Sequence, residues 1–486
     1  MLREKSKQEA RYLASQLFSA MPPLEGVKVL LSAMVTRKTS KNGKPLKLGF
    51  WDVSCAHFYG KARRRVLAKL PDEDAEEGKC ALLLRGWYGT QDASAIWQED
   101  YAEALNAHGY QTGKSNGAVF YSEEQDARAL VHGDDFMVLA DQDAIDKMDA
   151  MLKGKYMCKK MYNLGPEKGD SKEAVFLNRR IVLRTDERGK TELDYLPDPR
   201  HVELILKEMA LKVSDKRAPN PATKKRHEDL ERVLKSNPLD AEQTKRYRST
   251  TMRAAYLAQD RPDIAEPVKS LAQGMSKPTE ENMSDLKKLA RYLACTPHAG
   301  WKFDEQRDLS KITSTVDSDF AGDIKNRKST TGQILRLGKH VVKTSSNLQS
   351  TVSLSSGEAE YYGMVKGAAS PLGLQALLAD WGIEATITVE SDSSAARAFA
   401  SRRGLGHLRH VQTCYLWLQE RAKRNHLKLK AVKGAKNYAD VLTKVTTAAR
   451  SSEVLGRLGF WTSLATVVRA ARVAAPAKPR ASAKEG

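Results

Sequence analysis

The sequence predicts an α+β protein with several domains, and three observations support this prediction. The chain has 486 residues, which is more than one hydrophobic core usually organises. Its hydrophobic content of 41% is ordinary for globular proteins, so most of the chain can fold. Short β-type runs alternate with helical patterns, and from Leu309 onward this alternation is typical of a mixed α/β layer.

The charge of the chain indicates a phosphate-bearing partner. Lysine and arginine number 80 against 60 aspartate and glutamate, which gives a net charge of +20. Such a balance is typical of nucleic-acid binding, although anionic membranes or simple solubility also favour it. No apolar run approaches the ~20 residues of a membrane span, and no secretory signal is present. We therefore expect no membrane partner and an intracellular location, in a cytoplasmic particle or the nucleus.

The five cysteines are scattered and contain no CxxC pair. Their number and spacing fit a reducing compartment and argue against a zinc site. Nothing in the sequence predicts the oligomeric state.

The first half of the chain reads as helices and strands in the following order. The pattern predicts a basic helix before the Pro22-Pro23 break and a second helix over 24–35. After that it predicts strands over 48–53 and 80–87, a helix over 94–109, a hairpin centred on 132–135, a helix over 144–153 and a strand over 176–184.

The second half begins with a weakly patterned stretch over 190–221 and a charged, helical connector over 224–237. Helical periodicity over 247–275 and 280–293 predicts a helical connection region. Beyond it we predict strands over 314–320, 332–337, 340–345, 386–391 and 427–433, and helices over 356–381, 393–401, 411–425 and from Tyr438. Pro371 should kink the long helix, and residues 447–486 read as a disordered basic tail.

The segment Leu-Val-His-Gly-Asp-Asp-Phe-Met over 130–137 predicts a hairpin with Asp134 and Asp135 at its tip. Two carboxylates about 4 Å apart repel by roughly 4 kcal/mol at an effective dielectric near 20. Mg²⁺ (or Mn²⁺), held by oxygen ligands, would offset this cost; a solvated surface turn is the alternative. Asp52, near the end of an earlier strand, could join them in a two-metal site for phosphoryl transfer.

A second set of acids lies at the ends or centres of adjacent elements in the C-terminal part. We predict Asp317 centrally in a strand, Glu360 in the first turns of the long helix, Asp392 at a strand end and Asp440 at the start of the last helix. Helix N-termini favour acids in any case, which offers an alternative explanation for Glu360 and Asp440. The alternative explanation is weaker for Asp317 and Asp392, so the set predicts a second two-metal site.

At this point the motifs resemble a known family. Asp52-Val-Ser-Cys-Ala-His-Phe-Tyr-Gly60 resembles the Asp-Val-x-x-Ala-Phe-x-x-Gly motif of copia-type LTR retrotransposon reverse transcriptases, and His132-Gly-Asp-Asp135 stands where that family has Tyr-Val-Asp-Asp. Segments similar to the family's connection and RNase H domain are 247–249, 256–257, 261–264, 317–323, 327–330, 354–361 and 439–444. The resemblance extends from about Leu24 to Lys444.

This resemblance implies a reverse transcriptase palm with partial fingers over 1–190, a thumb/connection over 191–308, an RNase H-like α/β domain over 309–446 and a basic tail over 447–486. It implies that Asp52, Asp134 and Asp135 hold the polymerase metals, assisted by the backbone carbonyl of Val53. His57 and Phe58 stand where the family's aromatic screens the nucleotide sugar. The implied nuclease metal ligands are Asp317, Glu360, Asp392 and Asp440.

The implied activities are RNA-directed DNA synthesis from a DNA primer on an RNA template with dNTPs, and two-metal cleavage of the RNA strand of RNA–DNA hybrids. The polymerase half departs from the family, because His57 replaces the aromatic and Asp92 and Ala95 replace a glutamine and an arginine near the nucleotide. The short segment before Asp52 leads us to expect missing fingers, protease and integrase, as in a polyprotein fragment or a decayed copy.

Two other readings of the chain stay open. The first is a catalytically decayed, basic nucleic-acid-binding relic, and the second is a structural or partner-binding protein. Tryptophans 87, 97, 381 and 417 lie in apolar periodic patterns, which favours core packing over base stacking. For His407 and His410 we favour local hydrogen bonding over a metal site.

Overall fold

The computed structural model describes residues 17–185, 187, 190–212, 218–225, 227–406 and 409–463. Most of the predicted N-terminal basic helix, His407 and the predicted tail from residue 464 onward lie outside the described residues.

Four sheets and twelve α-helices make up the described chain. The strands are β1 Lys47–Val53, β2 Leu67–Ala68, β3 Ala81–Leu82, β4 Gln111–Thr112, β5 Val119–Ser122, β6 Ala127–His132, β7 Asp135–Ala140, β8 Cys158–Leu164, β9 Glu173–Phe176, β10 Arg179–Thr185, β11 Thr191–Leu196, β12 Ala299–Asp304, β13 Lys311–Ser318, β14 Thr330–Leu337, β15 His340–Leu348, β16 Thr386–Ser391, β17 Lys428–Ala431 and β18 Phe460–Thr462. The helices are α1 Leu24–Arg37, α2 Ala93–Ala107, α3 Gln142–Lys155, α4 Arg200–Glu208, α5 Leu230–Leu234, α6 Ala241–Ala258, α7 Ala265–Gln273, α8 Glu280–Cys295, α9 Ser356–Asp380, α10 Ser394–Ser401, α11 Trp417–Lys423 and α12 Ala448–Arg457.

The first large sheet contains the predicted hairpin, in the order β4-β5-β6-β7-β1-β8. Strands β6 and β7 are antiparallel, and β7 also pairs with β1. Both hairpin strands are buried apart from their tips, because α2 and α3 cover one face with Trp97, Tyr101 and Ile145. The hairpin prediction is confirmed, whereas the strand predicted over 80–87 shrinks to the two residues of β3.

The second sheet, in the order β18-β12-β11-β10-β9, assembles strands from distant parts of the sequence. Helices α4, α6, α7 and α8 share a separate apolar core. The tail prediction is wrong for residues 447–463, which form α12 and the edge strand β18. Val454, Leu455 and Phe460 are buried there, so a composition that looked disordered still supplies a packing face. The sheet also crosses the boundaries predicted at 190/191 and 446/447.

The third sheet is mixed, in the order β15-β14-β13-β16-β17. The central strand β13 is antiparallel to β14 and parallel to β16, which is parallel to β17. Helix α9 packs on this sheet and continues through Pro371 to Asp380. Asp317 is the second-last residue of β13, not a central one as predicted.

Helix α1 joins the three large sheets into one core, because its residues 26–35 are all buried. Lys28 pairs with the buried Asp260 at 3.0 Å, and Arg179 of β10 reaches the same carboxylate at 2.9 Å. On the third sheet, Ser32 hydrogen-bonds His340 at 2.9 Å. Within the described ranges, no helix has both the length and the apolarity needed to cross a bilayer.

Trp381 connects α9 to the first sheet and carries a stability prediction. The Trp381 side chain is fully buried, and its indole N–H donates to the Ala129 carbonyl at 3.3 Å. The Arg128 guanidinium donates to the backbone carbonyl of Trp381 at 3.0 Å. We expect Trp381→Ala to lower the free energy of unfolding by about 3–5 kcal/mol, because a large cavity forms. Denaturant titration measures this loss. Trp87→Ala, at a site 53% exposed, is the matched control and should cost less than about 0.5 kcal/mol.

Candidate metal centres

Three of the four acids predicted for the nuclease site meet at one end of the third sheet. One carboxylate oxygen from each of Asp317, Glu360 and Asp392 lies within 4.8 Å of the others. Because β13 and β16 are parallel neighbours, Asp317 near the end of β13 and Asp392 just after β16 reach the same edge. Glu360 comes from the second turn of α9, which packs across β13.

Burial and mutual repulsion make the charged forms of these three carboxylates unfavourable unless a cation lies among them. Burial, followed by the charges of Asp317 and Asp392, raises the pKa of Glu360 to about 8. Burial likewise raises the pKa of Asp317, which is 2% exposed. The buried Oε2 atom of Glu360 has no hydrogen-bond partner among the described residues. An orphaned carboxylate oxygen facing two other carboxylates fits a hard divalent cation such as Mg²⁺ or Mn²⁺.

Asp440 lies beside the cluster but outside it. It belongs to a helix that begins at Tyr438, as predicted, but this helix is a short 3₁₀ helix that ends at Leu442. Its Oδ1 accepts from Lys444 Nζ at 2.8 Å, and the same ammonium lies 3.6 Å from Asp317 Oδ2. Burial alone would lower the pKa of Lys444, but the carboxylates of Asp440 and Asp317 outweigh it and raise that pKa to about 12.

Two uncharged residues on the same turn hold the cluster, and the sequence analysis missed their role. The buried Asn437 amide donates to the Val316 carbonyl at 3.0 Å, to Asp392 at 3.2 Å and to Asp317 at 3.4 Å. The Thr443 hydroxyl donates to Asp317 Oδ2. Asn437 and Thr443 lie three residues before and three residues after Asp440, and this spacing is the feature of the sequence that could have indicated their role.

The raised pKa of Glu360 predicts how stability depends on pH. Its ordinary pKa of 4.5 rises to about 8 in the fold, so the fold binds more protons than the unfolded chain between these values. The metal-free protein should therefore lose stability as pH rises from about 5 to 8. Glu360→Gln should remove this loss and be more stable than the parent at pH 8.5 by about 1–3 kcal/mol. Denaturant titrations with a chelator at pH 5.5 and 8.5 measure the difference; equal pH profiles for the two proteins would contradict it.

The hairpin brings the three predicted polymerase acids to one strand end. Asp52 of β1 is the Cα partner of Asp135 of β7, and Asp134 lies in the connecting turn. Gly133 adopts φ +67° there, which favours glycine. The Trp97 indole donates to the Gly133 carbonyl at 2.8 Å, and the Val53 N–H donates to the Asp134 carbonyl at 3.1 Å. Val53 is thus beside the site, and the role predicted for its carbonyl stays a prediction.

The hairpin acids interact electrostatically, but their carboxylate oxygens lie farther apart than those of the nuclease cluster. Burial, then the charges of Asp134 and Asp52, raises the pKa of Asp135 to about 6. Within the described part of the chain, these three acids do not bring their oxygens within 4.8 Å of one another.

Aromatic side chains surround the two predicted nucleotide-site residues. The His57 ring stacks on Tyr88 with centroids 4.4 Å apart, and Phe58 lies 4.9 Å from Trp87. Trp87 is 53% exposed, so the core packing predicted for it is wrong, whereas the buried Trp97 and Trp381 confirm it. The buried Asp92 forms an ion pair with Arg64 at 3.2 Å, so the charge of this arginine is neutralised by a carboxylate.

His410 is held away from a metal role by its partner. Its Nε2 lies 3.0 Å from Oε2 of the buried Glu358, which also accepts from the Tyr362 hydroxyl at 2.7 Å. Glu358 lies 52 residues earlier in the chain, so the prediction that His410 makes local hydrogen bonds is wrong.

Comparisons with known proteins show which proteins this chain resembles. No family model matches the chain. The retrovirus-related Pol polyprotein from transposon TNT 1-94 of Nicotiana tabacum is 24% identical over 445 residues, covering 88% of this chain and 32% of that protein. The corresponding polyprotein from transposon RE1 of Arabidopsis thaliana is 31% identical over 216 residues, covering 44% of this chain and 15% of that protein.

Among solved structures, a foamy viral protease-reverse transcriptase in complex with RNA/DNA hybrid shares 12% identity, covers 85% of this chain and 46% of that one, and superposes with a TM-score of 0.45. The fold is defined by the strand orders described above. The chain spans about a third of the first sequence relative and about a seventh of the second. The resemblance seen in the motifs is confirmed: the chain is similar to retrovirus-related Pol polyproteins of plant transposons.

Proposed function

We propose that this chain hydrolyses the RNA strand of RNA–DNA hybrids at the cluster of Asp317, Glu360 and Asp392, with Mg²⁺ or Mn²⁺ as cofactor. The observation that carries the proposal is the convergence of these three carboxylates, with an orphaned Glu360 oxygen, at one sheet edge. The net charge of +20 supports a polyanionic substrate.

The third sheet supports an RNase H-like arrangement for this part of the chain. Three antiparallel strands followed by a helix and two parallel strands give the order β15-β14-β13-β16-β17, with the acids at the β13 and β16 ends. We assign the RNase H-like domain predicted over 309–446 to this sheet and α9 to α11. A divalent ion, when bound, would activate water and stabilise charge on a phosphate. The protein's own residues orient the ligands: Asn437 and Thr443 hold Asp317, and Asn437 also holds Asp392.

The test is cleavage of an end-labelled RNA strand by the purified full chain. Annealed to DNA, the RNA should be cut in Mg²⁺ and remain intact when a chelator replaces the metal. RNA–RNA duplex of the same sequence is the control substrate and should remain uncut. An intact hybrid in both Mg²⁺ and Mn²⁺ would refute the proposal and favour the decayed, nucleic-acid-binding relic.

A second activity, primer extension on an RNA template with dNTPs, is favoured by the register of the hairpin. Asp52 and Asp135 are direct antiparallel partners beside Asp134, as a polymerase palm requires. We propose that the first sheet is this palm and that α4 to α8 form the thumb/connection. Ala95 stands where the family has an arginine near the nucleotide, and Asp92 neutralises Arg64, so we expect extension to be slower than hybrid cleavage.

A further inference from the structure

We propose that the Lys444 ammonium takes the position of a second cation at the nuclease site, so that the site holds one divalent ion. This inference rests on the proposed nuclease function and concerns how many ions the acids accept. It differs from the two-metal site that the acids predicted from sequence, because it assigns the fourth acid to a lysine.

Asp440 and Asp317 define the position in question. Lys444 Nζ lies 2.8 Å from Asp440 Oδ1 and 3.6 Å from Asp317 Oδ2, so one ammonium bridges two of the four acids. Asp317 is therefore shared: it belongs to the three-acid cluster and also faces the ammonium. A second divalent ion bridging Asp317 and Asp440 would need the same space and would be repelled by the lysine charge.

The local fold holds Lys444 in this place. The Lys444 and Thr443 N–H groups both donate to the Asp440 carbonyl, at 3.1 and 3.2 Å, so the chain turns back over the acid after the 3₁₀ helix. The Thr443 hydroxyl anchors the turn to Asp317 Oδ2. The Asp317 side chain is buried, whereas the Lys444 side chain is 49% exposed, so the lysine closes the site from the solvent side.

An ammonium differs chemically from a divalent ion at this position. It is a compact point charge with three donors, so it can neutralise Asp440 and still donate to a phosphate oxygen of the substrate. The divalent ion then has one place, among Asp317, Glu360 and Asp392.

Counting bound Mn²⁺ tests this assignment independently of catalysis. The protein is the full chain carrying Asp134→Asn and Asp135→Asn, so that the hairpin site does not contribute, and free Mn²⁺ is read by electron paramagnetic resonance. We expect one Mn²⁺ per chain, none when Asp317→Asn is added, and two when Lys444→Met is added. Lys444→Arg, which keeps the charge, should retain one.

The matched control is Lys436→Met on the preceding turn, an exposed lysine with no ion pair in the described structure. It should also retain one Mn²⁺. Two Mn²⁺ in the parent, or one in a folded Lys444→Met chain, would overturn the assignment. A count of one rising to two without any hybrid cleavage would reject the proposed function and leave the assignment intact, whereas cleavage with two Mn²⁺ in the parent would do the opposite.

Discussion

Asp317→Asn is expected to reduce cleavage of the RNA strand of a hybrid by roughly 10³-fold or more. Asp317 is the acid shared by the cluster and Lys444, and it is 2% exposed. An asparagine keeps the shape but removes the charge that holds a divalent ion, and such an ion supplies several kcal/mol of transition-state stabilisation. The rate is measured with a labelled hybrid at saturating Mg²⁺.

The matched control for this variant is Asp308→Asn, an exposed acid just before β13 that accepts from Ser310 at 2.8 Å. It makes the same chemical change outside the cluster and should leave the cleavage rate within about twofold of the parent. If Asp317→Asn cleaved hybrids as fast as Asp308→Asn, the nuclease assignment would be wrong.

Asp135→Asn is expected to abolish primer extension, by at least about 10²-fold, without changing hybrid cleavage. Asp135 is the Cα partner of Asp52, and burial raises its pKa to about 6. Removing its charge deprives the tip of a ligand for the metals that would clamp the attacking and leaving oxygens. Extension of a DNA primer on a homopolymer RNA template measures the loss, and hybrid cleavage by the same preparation is the internal control.

The same site predicts a pH dependence for extension. Because the pKa of Asp135 is raised to about 6, its carboxylate is protonated below that pH and cannot bind a metal. Extension by the parent chain should therefore rise between pH 5 and 7 and level off above it. Extension that is constant across this range would show that Asp135 is not a ligand in the active form.

The sequence predicted the parts of the fold whose periodicity is strong. The strand over 386–391 and the hairpin at 132–135 are found as predicted, because alternating apolar residues and a glycine turn determine them locally. No strand was predicted in the weakly patterned stretch 190–221, and residues 447–463 were predicted to be disordered. Both predictions missed a strand, since β11 and β18 are stabilised by pairing with β12 rather than by their own pattern.

The site was predicted as a set of acids but not as an arrangement. That Asp317, Glu360 and Asp392 converge follows from the parallel pairing of β13 with β16, which no local pattern specifies. Asp440 lies outside this group and pairs with a lysine four residues further along the chain. From the sequence alone, such a spacing indicates an ordinary surface ion pair. Its relevance to the site follows only from the position of Lys444 beside Asp317.

The central claim is that the three converging carboxylates exist to bind a divalent ion. The most direct test is a crystal of the full chain grown with Mn²⁺, with anomalous diffraction recorded at the manganese edge. We expect an anomalous peak coordinated by Asp317, Glu360 and Asp392. Crystals at millimolar Mn²⁺ with no peak among these three side chains, or with the carboxylates turned apart, would contradict it.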